Sequence, residues 1–362
     1  MSDKIKLYLY RRSTHFTHSK KRYSYDLSDL VKDDSVKWIT YLNFSAAELD
    51  FDLVPPSRTI VPYTGDIITF RWENHKTFYG YVWKYQYKKD NIVSVKCFAP
   101  SRYLKNQDSI VFKTGTIADR FNNVCKRAGI KHKVIKKPTH KVKAEVCDGK
   151  TYFAMIQSAI DSSLKSTGHR YYVYDNYDRV ELRRVPGKKL NLLVSETSGM
   201  TNFDYAVDID QTYNAIRVVH KDSKKSQLTA ATAQAKKASP TSANNPKETK
   251  FSYTDVHSTS ALQWGKLQKV VQAKDKANHA QLIAQAREEL RSTNMANKTL
   301  TVTCIGNLDL VAGNTVTVKI DDFRKKLSNC PIIKATHNFG DNYTCEIEMK
   351  AGKSWQENGS IS

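Results

Sequence analysis

Apolar and polar residues alternate most regularly near the end of the chain, over residues 299–320. Successive side chains of a β-strand point to opposite faces, so two such runs predict two strands that each bury one face. Gly306-Asn307 and Gly313-Asn314 lie between the runs, and both pairs permit tight turns. We interpret the segment as two strands of a small closed barrel. The residues predicted to face its core are Leu300, Val302, Cys304, Val316, Val318 and Ile320.

A helix is predicted directly before these strands, over residues 278–294. Its apolar residues recur every three or four positions, which is the period of an amphipathic helix. Polar residues occupy the remaining positions of the same segment. The apolar stripe consists of Leu282, Ile283, Ala286 and Leu290.

Two more helices are predicted in the first half of the chain. Thr116 is a suitable N-cap for a helix over residues 117–128. A second helix over residues 152–164 precedes two strand-like runs, which we expect to form a hairpin with its turn at Asp175-Asn176. Each helix is followed by a glycine that can end it: Gly129 and Gly168.

Residues 36–104 consist of short apolar runs separated by turn residues at close intervals, which is typical of a sandwich or barrel. An opening strand near residues 5–9 is predicted to join them. The region is dense in aromatic residues, which could form a ligand-stacking surface. Aromatic residues are also strand formers that pack cores and interfaces, and we favour this second interpretation. The residues concerned are Trp72, Tyr79, Tyr81, Trp83, Tyr85 and Tyr87.

Together these patterns predict a β-rich α+β fold. It has two similar small, tube-like β-barrel domains and an inserted α/β domain that consists of a helix and a hairpin. Residues 221–250 contain a single large apolar residue, Leu228, and we therefore interpret this segment as a flexible loop. The predicted divisions are a first barrel at 1–113, the inserted domain at 114–187, a second barrel at 188–220 with 298–350, the flexible basic loop at 221–250, a helical insertion at 251–297 and a tail at 351–362.

The formal net charge of +22 suggests a polyanionic partner, such as nucleic acid, an anionic membrane or an acidic protein surface. The excess lies in two stretches. Residues 126–143 contain eight Lys or Arg and no acid, and residues 221–300 contain fourteen basic and six acidic residues. Neither stretch alternates aromatic residues with Arg, and Lys predominates over Arg, which disfavours nucleic acid. We interpret both stretches as solvated surface.

The sequence lacks the segments that direct a protein into or across a membrane. No apolar run approaches the roughly 18 residues that a membrane-spanning helix needs. The first twelve residues contain no apolar core long enough for a signal peptide. We therefore expect synthesis in the cytoplasm.

No pattern of catalytic or metal-binding residues is found. The sequence contains no HExxH, GxSxG, GxxxxGK[ST] or GxGxxG motif. Adjacent carboxylates such as Asp321-Asp322 and Glu288-Glu289 fit a solvated turn or helix face. We predict no catalytic, cofactor-binding or metal-binding residues, and a protein that is not an enzyme. The six cysteines include no CxxC pair and are predicted to be free, buried thiols: Cys97, Cys125, Cys147, Cys304, Cys330 and Cys345.

Three stretches resemble the XkdQ/YqbQ-like baseplate proteins of phages and phage-derived particles with contractile tails in Gram-positive bacteria. One resembles their helix and hairpin: KTYFAMIQSAIDSSLKSTGHRYYVYDNYDRVELRRV. Another resembles the strand that enters their second barrel and includes Asp210, Thr212, Tyr213 and Asn214: LLVSETSGMTNFDYAVDIDQTYNAIRVVHKD. The third resembles their WG-x-LQ segment, helix and GN-x-D-L-x-x-G-x-x-V run, ending in GNLDLVAGNTVTVKI. The resemblance is carried by the order and spacing of the three over about residues 150–320.

The resemblance implies the central hub of a baseplate, related to late control protein D and the lower tail-hub proteins. In that family two similar barrels per chain and three chains per ring give six barrel positions, which adapts a six-fold tail tube to a three-fold central spike. The implied partners are two further copies of the chain, the tail tube protein, the spike protein, baseplate wedge proteins and LysM-type or tape-measure neighbours. The implied location is the baseplate of a virion or tail-like particle made in the cytoplasm of a bacterial host.

Other interpretations stay open on the sequence. The chain could be a hub or tail-associated protein of a non-contractile phage tail. A basic nucleic-acid-binding protein and a tail-associated cell-wall hydrolase are further alternatives. Residues 1–115 match the family only in type, as a β domain, and residues 126–143 and 221–250 have no counterpart in the resemblance.

Overall fold

The computed structural model describes residues 4–12, 22–42, 44–56, 60–223, 249–273, 277–322 and 325–351. It divides into a larger unit, Met1–Ala206 with Lys298–Ser362, and a smaller unit, Val207–Asn297. The predicted loop at 221–250 lies almost entirely outside the described residues, as does the predicted tail at 351–362. Within the described ranges, no helix has the length and apolarity needed to cross a membrane.

The first seven strands form an antiparallel sheet in the order β3-β4-β7-β6-β5-β1-β2. Their alternating burial agrees with the β-rich prediction for residues 36–104. The inward faces bury a core that contains Leu7, Leu49, Phe51 and Phe70. Short 3-10 turns lie at Ser28–Leu30 and Pro100–Lys105. The strands are β1 (Ile5–Arg12), β2 (Arg22–Asp26), β3 (Val36–Tyr41), β4 (Glu48–Leu53), β5 (Ile67–Trp72), β6 (His75–Tyr87) and β7 (Val93–Phe98).

The inserted region packs two helices, α1 (Ile117–Arg127) and α2 (Tyr152–Thr167), against small groups of strands. Both predicted helices are confirmed, and so are the predicted N-cap of the first and the predicted glycine end of the second. Thr116 and Asp119 form a capping box at the start of α1, and Gly168 ends α2 at a φ of +69°. The strands are β8 (Gln107–Phe112), β9 (Gly115–Thr116), β10 (His132–Val134), β11 (Lys141–Val142), β12 (Glu145–Thr151), β13 (Tyr171–Asn176) and β14 (Arg179–Arg184).

After the insertion the chain forms β15 (Lys189–Ser195) and β16 (Met200–Asp208) and then enters the smaller unit. This unit has a three-stranded sheet in the order β18-β17-β19, and Ala286 of its longer helix packs on the sheet. The predicted helix at 278–294 is confirmed, with a capping box at Asn278. The elements are β17 (Ala215–Ser223), β18 (Thr249–His257), α3 (Ala261–Trp264), β19 (Gln268–Gln272) and α4 (His279–Thr293).

The pairing of β17 departs from the predicted grouping of residues 188–220 with 298–350 in the last part of the first range, whereas β15 and β16 do pair with strands of the second range. In the structure β17 forms nine register pairs with β18 and runs parallel to β19. The predicted helical insertion at 251–297 therefore contains strands as well as helices. A long connection does not prevent this pairing, because the entropy cost of closing a loop rises only slowly with its length.

The second sheet combines β15 and β16 with four later strands. Burial confirms the predicted inward face of residues 299–320, since Leu300, Val302, Val316 and Val318 lie in its core. Among the described strands, hydrogen-bonded pairing closes neither sheet into a barrel. The later strands are β20 (Asn297–Ile305), β21 (Thr315–Ile320), β22 (Lys325–Phe339) and β23 (Thr344–Lys350).

The long strand β22 joins the two sheets. Its first part pairs with β21, and its second part pairs with β23 on one side and with β3 on the other. The pairing with β3 runs from Lys334 opposite Tyr41 to Phe339 opposite Val36. We call this β3–β22 pairing the seam. It makes the strands of both sheets one continuous hydrogen-bonded set.

Buried polar contacts support the seam. The N–H of Ala312 donates to Oγ1 of Thr40 at 3.0 Å, and His337 stacks on Trp38 with ring centroids 4.8 Å apart. Nε2 of His337 lies 3.1 Å from the carbonyl oxygen of Leu310, and Nδ1 lies 2.8 Å from the Tyr343 hydroxyl. A carbonyl can only accept, so Nε2 carries the proton and Nδ1 accepts from Tyr343. His337 is therefore a neutral, fully satisfied imidazole.

Replacing Thr40 by Val tests the seam hydrogen bond. The shape is kept, but the buried N–H of Ala312 loses its acceptor, so we expect a loss of about 1–3 kcal/mol in the free energy of unfolding. Denaturant titration measures the loss. Thr301→Val, at a half-buried β20 position with no hydrogen bond described for its side chain, is the matched control and should change stability by less than about 0.5 kcal/mol. Equal effects of the two substitutions would contradict the assigned role of Thr40.

The stability of the fold should fall on acidification through His337. Burial lowers the pKa of this residue to about 3, against an unfolded value near 6.5. The unfolded state therefore binds a proton below pH 6.5 that the native state excludes until about pH 3, so stability is lost as pH falls through this window. Between pH 7 and pH 5 the loss amounts to about 2 kcal/mol. For His337→Gln, the free energy of unfolding measured by chemical denaturation should therefore fall by about 2 kcal/mol less between pH 7 and pH 5 than for the unsubstituted protein. An equal fall in both proteins would rule out the assignment.

Candidate assembly surface

The outer face of the first sheet carries a cluster of aromatic side chains that the strand register brings together, and we call it the aromatic plate. Its residues are Tyr10, Tyr79, Tyr81, Trp83 and Phe98, with Tyr103 packed against Tyr81. Tyr10 pairs with Ile67, Ile67 with Tyr81, and Tyr81 with Phe98. Residues directly opposite each other in a sheet point to the same side. Four strands therefore contribute one cross-strand row, and Tyr79 lies in the adjacent row through its pairing with Thr69.

A register shift in β6 decides which aromatic residues join the plate. The shift lies between Val82 and Lys84, so Trp83 is an extra residue on the outer side. Beyond it, Tyr85 pairs with the core residue Val95 and packs against the first core. The predicted packing role is thus correct for Tyr85, and also for Trp72, which is buried. Tyr79, Tyr81 and Trp83 instead form surface.

The rings of the plate hold one another by edge contacts. Tyr81 meets Tyr79 at 6.0 Å and Tyr103 at 5.3 Å between centroids, both nearly perpendicular. The guanidinium of Arg102 lies over the Trp83 ring at 4.6 Å. Edge-to-face pairs and cation–π contacts each favour a fixed arrangement. The plate is therefore a preformed surface.

A groove separates the plate from the inserted region. One part of it, of about 250 Å³, is lined by Tyr10, Arg11, Ile67, Thr69, Tyr79, Tyr177 and Asp178. The other part, of about 410 Å³, is lined by Tyr10, Gly65, Ile67, Tyr81, Tyr103, Ala128, Gly129 and Ile130. Tyr10 and Ile67 line both parts, so we treat them as one continuous groove.

Asp175 fixes the wall of this groove. The predicted hairpin turn at Asp175-Asn176 is wrong, because the turn lies two residues later, where Tyr177 has a φ of +55°. Asp175 is instead a buried residue of β13. Its carboxylate accepts from the N–H of Ala47 at 3.1 Å, and from the N–H and hydroxyl of Ser101 at 3.0 and 2.6 Å. These bonds attach the hairpin to the first sheet.

The electrostatics of Asp175 reflect its burial. Loss of water raises the pKa of the carboxyl, although its three donors act in the opposite direction. The alternation along β13 could have drawn attention to the residue, since Tyr171, Val173 and Asp175 share one face of their strand. An acidic residue at a predicted core position needs partners from elsewhere in the fold, and those partners are not visible in a sequence.

The basic stretch at 126–143 lies on the surface of the inserted region, which agrees with its interpretation as solvated. Arg127 pairs with Asp108 at 3.0 Å, and Lys131 pairs with Asp178 at 2.8 Å. The remaining lysines are exposed and make no salt bridge with any described residue: Lys126, Lys133, Lys136, Lys137, Lys141 and Lys143.

One side-chain pair resembles a nucleophile and base but does not have their properties. Sγ of Cys345 lies 3.8 Å from Nε2 of His337. Burial raises the pKa of Cys345 and lowers that of His337, so a thiolate and an imidazolium are both disfavoured. The six cysteines are free and buried, as predicted. Within the described part of the chain, no group of three or more His, Cys, Asp or Glu side chains is placed to hold a metal ion.

Asp175→Asn tests how the groove wall is held. The substitution removes the charge and one acceptor oxygen, so we expect a loss of about 1–3 kcal/mol in the free energy of unfolding. Thermal and denaturant melts measure it. Asp178→Asn is the control on the same hairpin; its exposed ion pair should contribute less than about 1 kcal/mol. If the control costs as much as Asp175→Asn, the buried attachment is not what holds the hairpin.

Comparison with known proteins agrees with this architecture. A model of the YQBQ-like family matches residues 36–242 and 241–350. XkdQ of Bacillus subtilis strain 168, a protein of the phage-like element PBSX, is 24% identical over 172 residues, which cover 47% of this chain and 52% of XkdQ. YqbQ of the same strain is 21% identical over 289 residues, or 79% of this chain and 81% of YqbQ. The alignment thus spans only about half the length of XkdQ.

Among solved structures, the 43 kDa tail protein of prophage MuSo2 from Shewanella oneidensis has a similar fold. The TM-score is 0.62 at 12% identity, over 95% of this chain and 98% of that protein. At such low identity the similarity concerns the fold alone. Because the family model covers most of the sequence, the chain belongs to the YQBQ-like family, and its fold is that of a phage tail protein.

Proposed function

We propose that the chain is a structural, non-enzymatic hub protein in the baseplate of a contractile phage tail or tail-like particle. Three findings support this function. The chain belongs to the YQBQ-like family, its relative XkdQ is a protein of a phage-like element, and its fold is shared with a phage tail protein. In this proposal the protein is made in the cytoplasm of a bacterial host and resides in the particle.

The observation that carries the proposal is the presence of two β-sheets, each around its own core, joined by the seam. We propose that the two sheets act as two similar tube-like, barrel-type domains. Residues 1–113 supply the first, and β15, β16 and β20 to β23 supply the second. Three chains in a ring then present six such domains to a six-fold tail tube and three repeats to a central spike. Wedge and LysM-type or tape-measure proteins are the further proposed neighbours.

A ring needs a surface where one chain meets the next, and the β8–β12 ribbon offers a candidate. Val111 and Val146 are directly opposite each other in its register and are 72% and 70% exposed. Two adjacent apolar side chains in contact with water are stabilised when a neighbour covers them. We propose that this pair contributes to the contact between chains.

The mass of the purified full chain in solution tests the ring. We expect light scattering to give three times the chain mass. Val146→Glu should shift the population to the single chain, because a charge placed in an apolar contact loses its water. Its melting behaviour as a single chain should stay unchanged, since the side chain is already exposed. Val54→Glu, at another exposed apolar position, is the control and should remain a trimer.

If the measured mass stays that of a single chain at all accessible concentrations, and also after the tail tube protein is added, the proposed ring is contradicted. A trimer that Val146→Glu leaves intact would keep the ring and remove the ribbon from its interface.

A further inference from the structure

We propose that the groove beside the aromatic plate, together with the lysines around it, binds an extended acidic segment of a partner protein. The site lies within one chain, so it does not depend on the proposed ring. Three properties of the groove support this occupant: its shape, its unbalanced charge and the state of its aromatic faces.

The shape suits a short extended peptide. The groove-lining row from Tyr10 through Ile67 to Tyr81 crosses three strands. At about 4.8 Å between neighbouring strands, this row is roughly 10 Å long. An extended chain covers this length with about three residues. Ile67 and the tyrosine rings offer apolar contact, and the tyrosine hydroxyls can hydrogen-bond to a peptide backbone.

The charge around the groove is positive once internal pairs are counted. Arg11 is bound by Asp66 at 2.7 Å, and Asp178 is bound by Lys131 at 2.8 Å. Asp178, which lines the groove, and Asp66, which binds the lining residue Arg11, are therefore both neutralised by the chain itself. Lys76 lies over the Tyr177 ring at 5.4 Å, which brings a further cation to the rim.

Two further lysines lie within three residues of the groove lining in the sequence. Ala128, Gly129 and Ile130 line the larger part of the groove and belong to the basic stretch. Lys126 and Lys133 flank them and are exposed. Like Lys76, they make no salt bridge with any described residue. Uncompensated lysines at a rim attract carboxylates and orient an approaching acidic segment.

The aromatic faces argue for a peptide rather than a nucleic acid. A single-strand binding surface needs open ring faces on which bases stack. Here the rings of Tyr79, Tyr81 and Tyr103 meet edge to face, and cations lie over Trp83 and Tyr177. The rim is also made of lysine, which lacks the planar fork that arginine uses for phosphate.

Fluorescence anisotropy with a labelled peptide tests the site on the full chain. The probe is a peptide of about eight residues in which glutamate alternates with tyrosine and leucine. We expect saturable binding that weakens as salt is raised. Lys76→Glu combined with Lys133→Glu should weaken binding about tenfold or more, because each reversal replaces attraction by repulsion. Lys326→Glu, at an exposed position on the second sheet, should change affinity by less than about twofold.

A second variant separates the groove from its charge. Tyr10→Ala removes a side chain that lines both parts of the groove and should also weaken binding, while circular dichroism melts verify that each variant folds. Absence of peptide binding, or binding that survives both the charge reversal and Tyr10→Ala, would overturn the proposal. So would oligothymidine that competes with the peptide and responds to the same substitutions, since it would identify a nucleic-acid site.

Discussion

The pairing of β3 with β22 is the contact on which the rest of the fold depends. Its two strands lie almost 300 positions apart in the sequence, yet they bring both sheets into one hydrogen-bonded set. The first core extends across this seam, because Phe339 of β22 belongs to it. Trp72 of the first sheet packs on Phe339 of β22 with ring centroids 5.0 Å apart. A buried, neutral histidine can be kept there only because every polar atom around it has a partner.

The seam explains why one chain can present two sheets with a fixed mutual orientation. A connection made of loops would let the sheets move independently, whereas shared strand pairing does not. The inserted region is held to the first sheet by a different device, the buried carboxylate of Asp175. The groove beside the plate exists because this attachment places a hairpin turn near the tyrosines of β6. The groove thus lies between the first sheet and a hairpin turn that this buried attachment holds in place.

Local signals predicted a good part of this structure. Thr116 caps its helix, a helix forms within residues 278–294 as its apolar stripe predicts, and the apolar face of residues 299–320 lies in a core as alternation requires. These features depend on residues only a few positions apart. The β-rich class and the free, buried cysteines follow from the same kind of pattern.

The parts that could not be predicted depend on contacts between distant residues. Nothing near β17 indicates that it pairs with β18 across a long polar segment rather than with the second sheet. The buried role of Asp175 depends on Ala47 and Ser101, and the outward position of Trp83 depends on one extra residue in β6. The seam is the extreme case, since neither strand carries a mark of its partner.

Native-state amide hydrogen exchange tests most directly whether the seam makes one cooperative body of the two sheets. Amides of β3, β5, β20 and β22 should exchange with the same free energy and the same dependence on denaturant, because all of them open only when both sheets unfold. If the first sheet exchanges through a separate opening of lower free energy while β20 and β23 remain protected, the seam does not couple the sheets and the account is wrong.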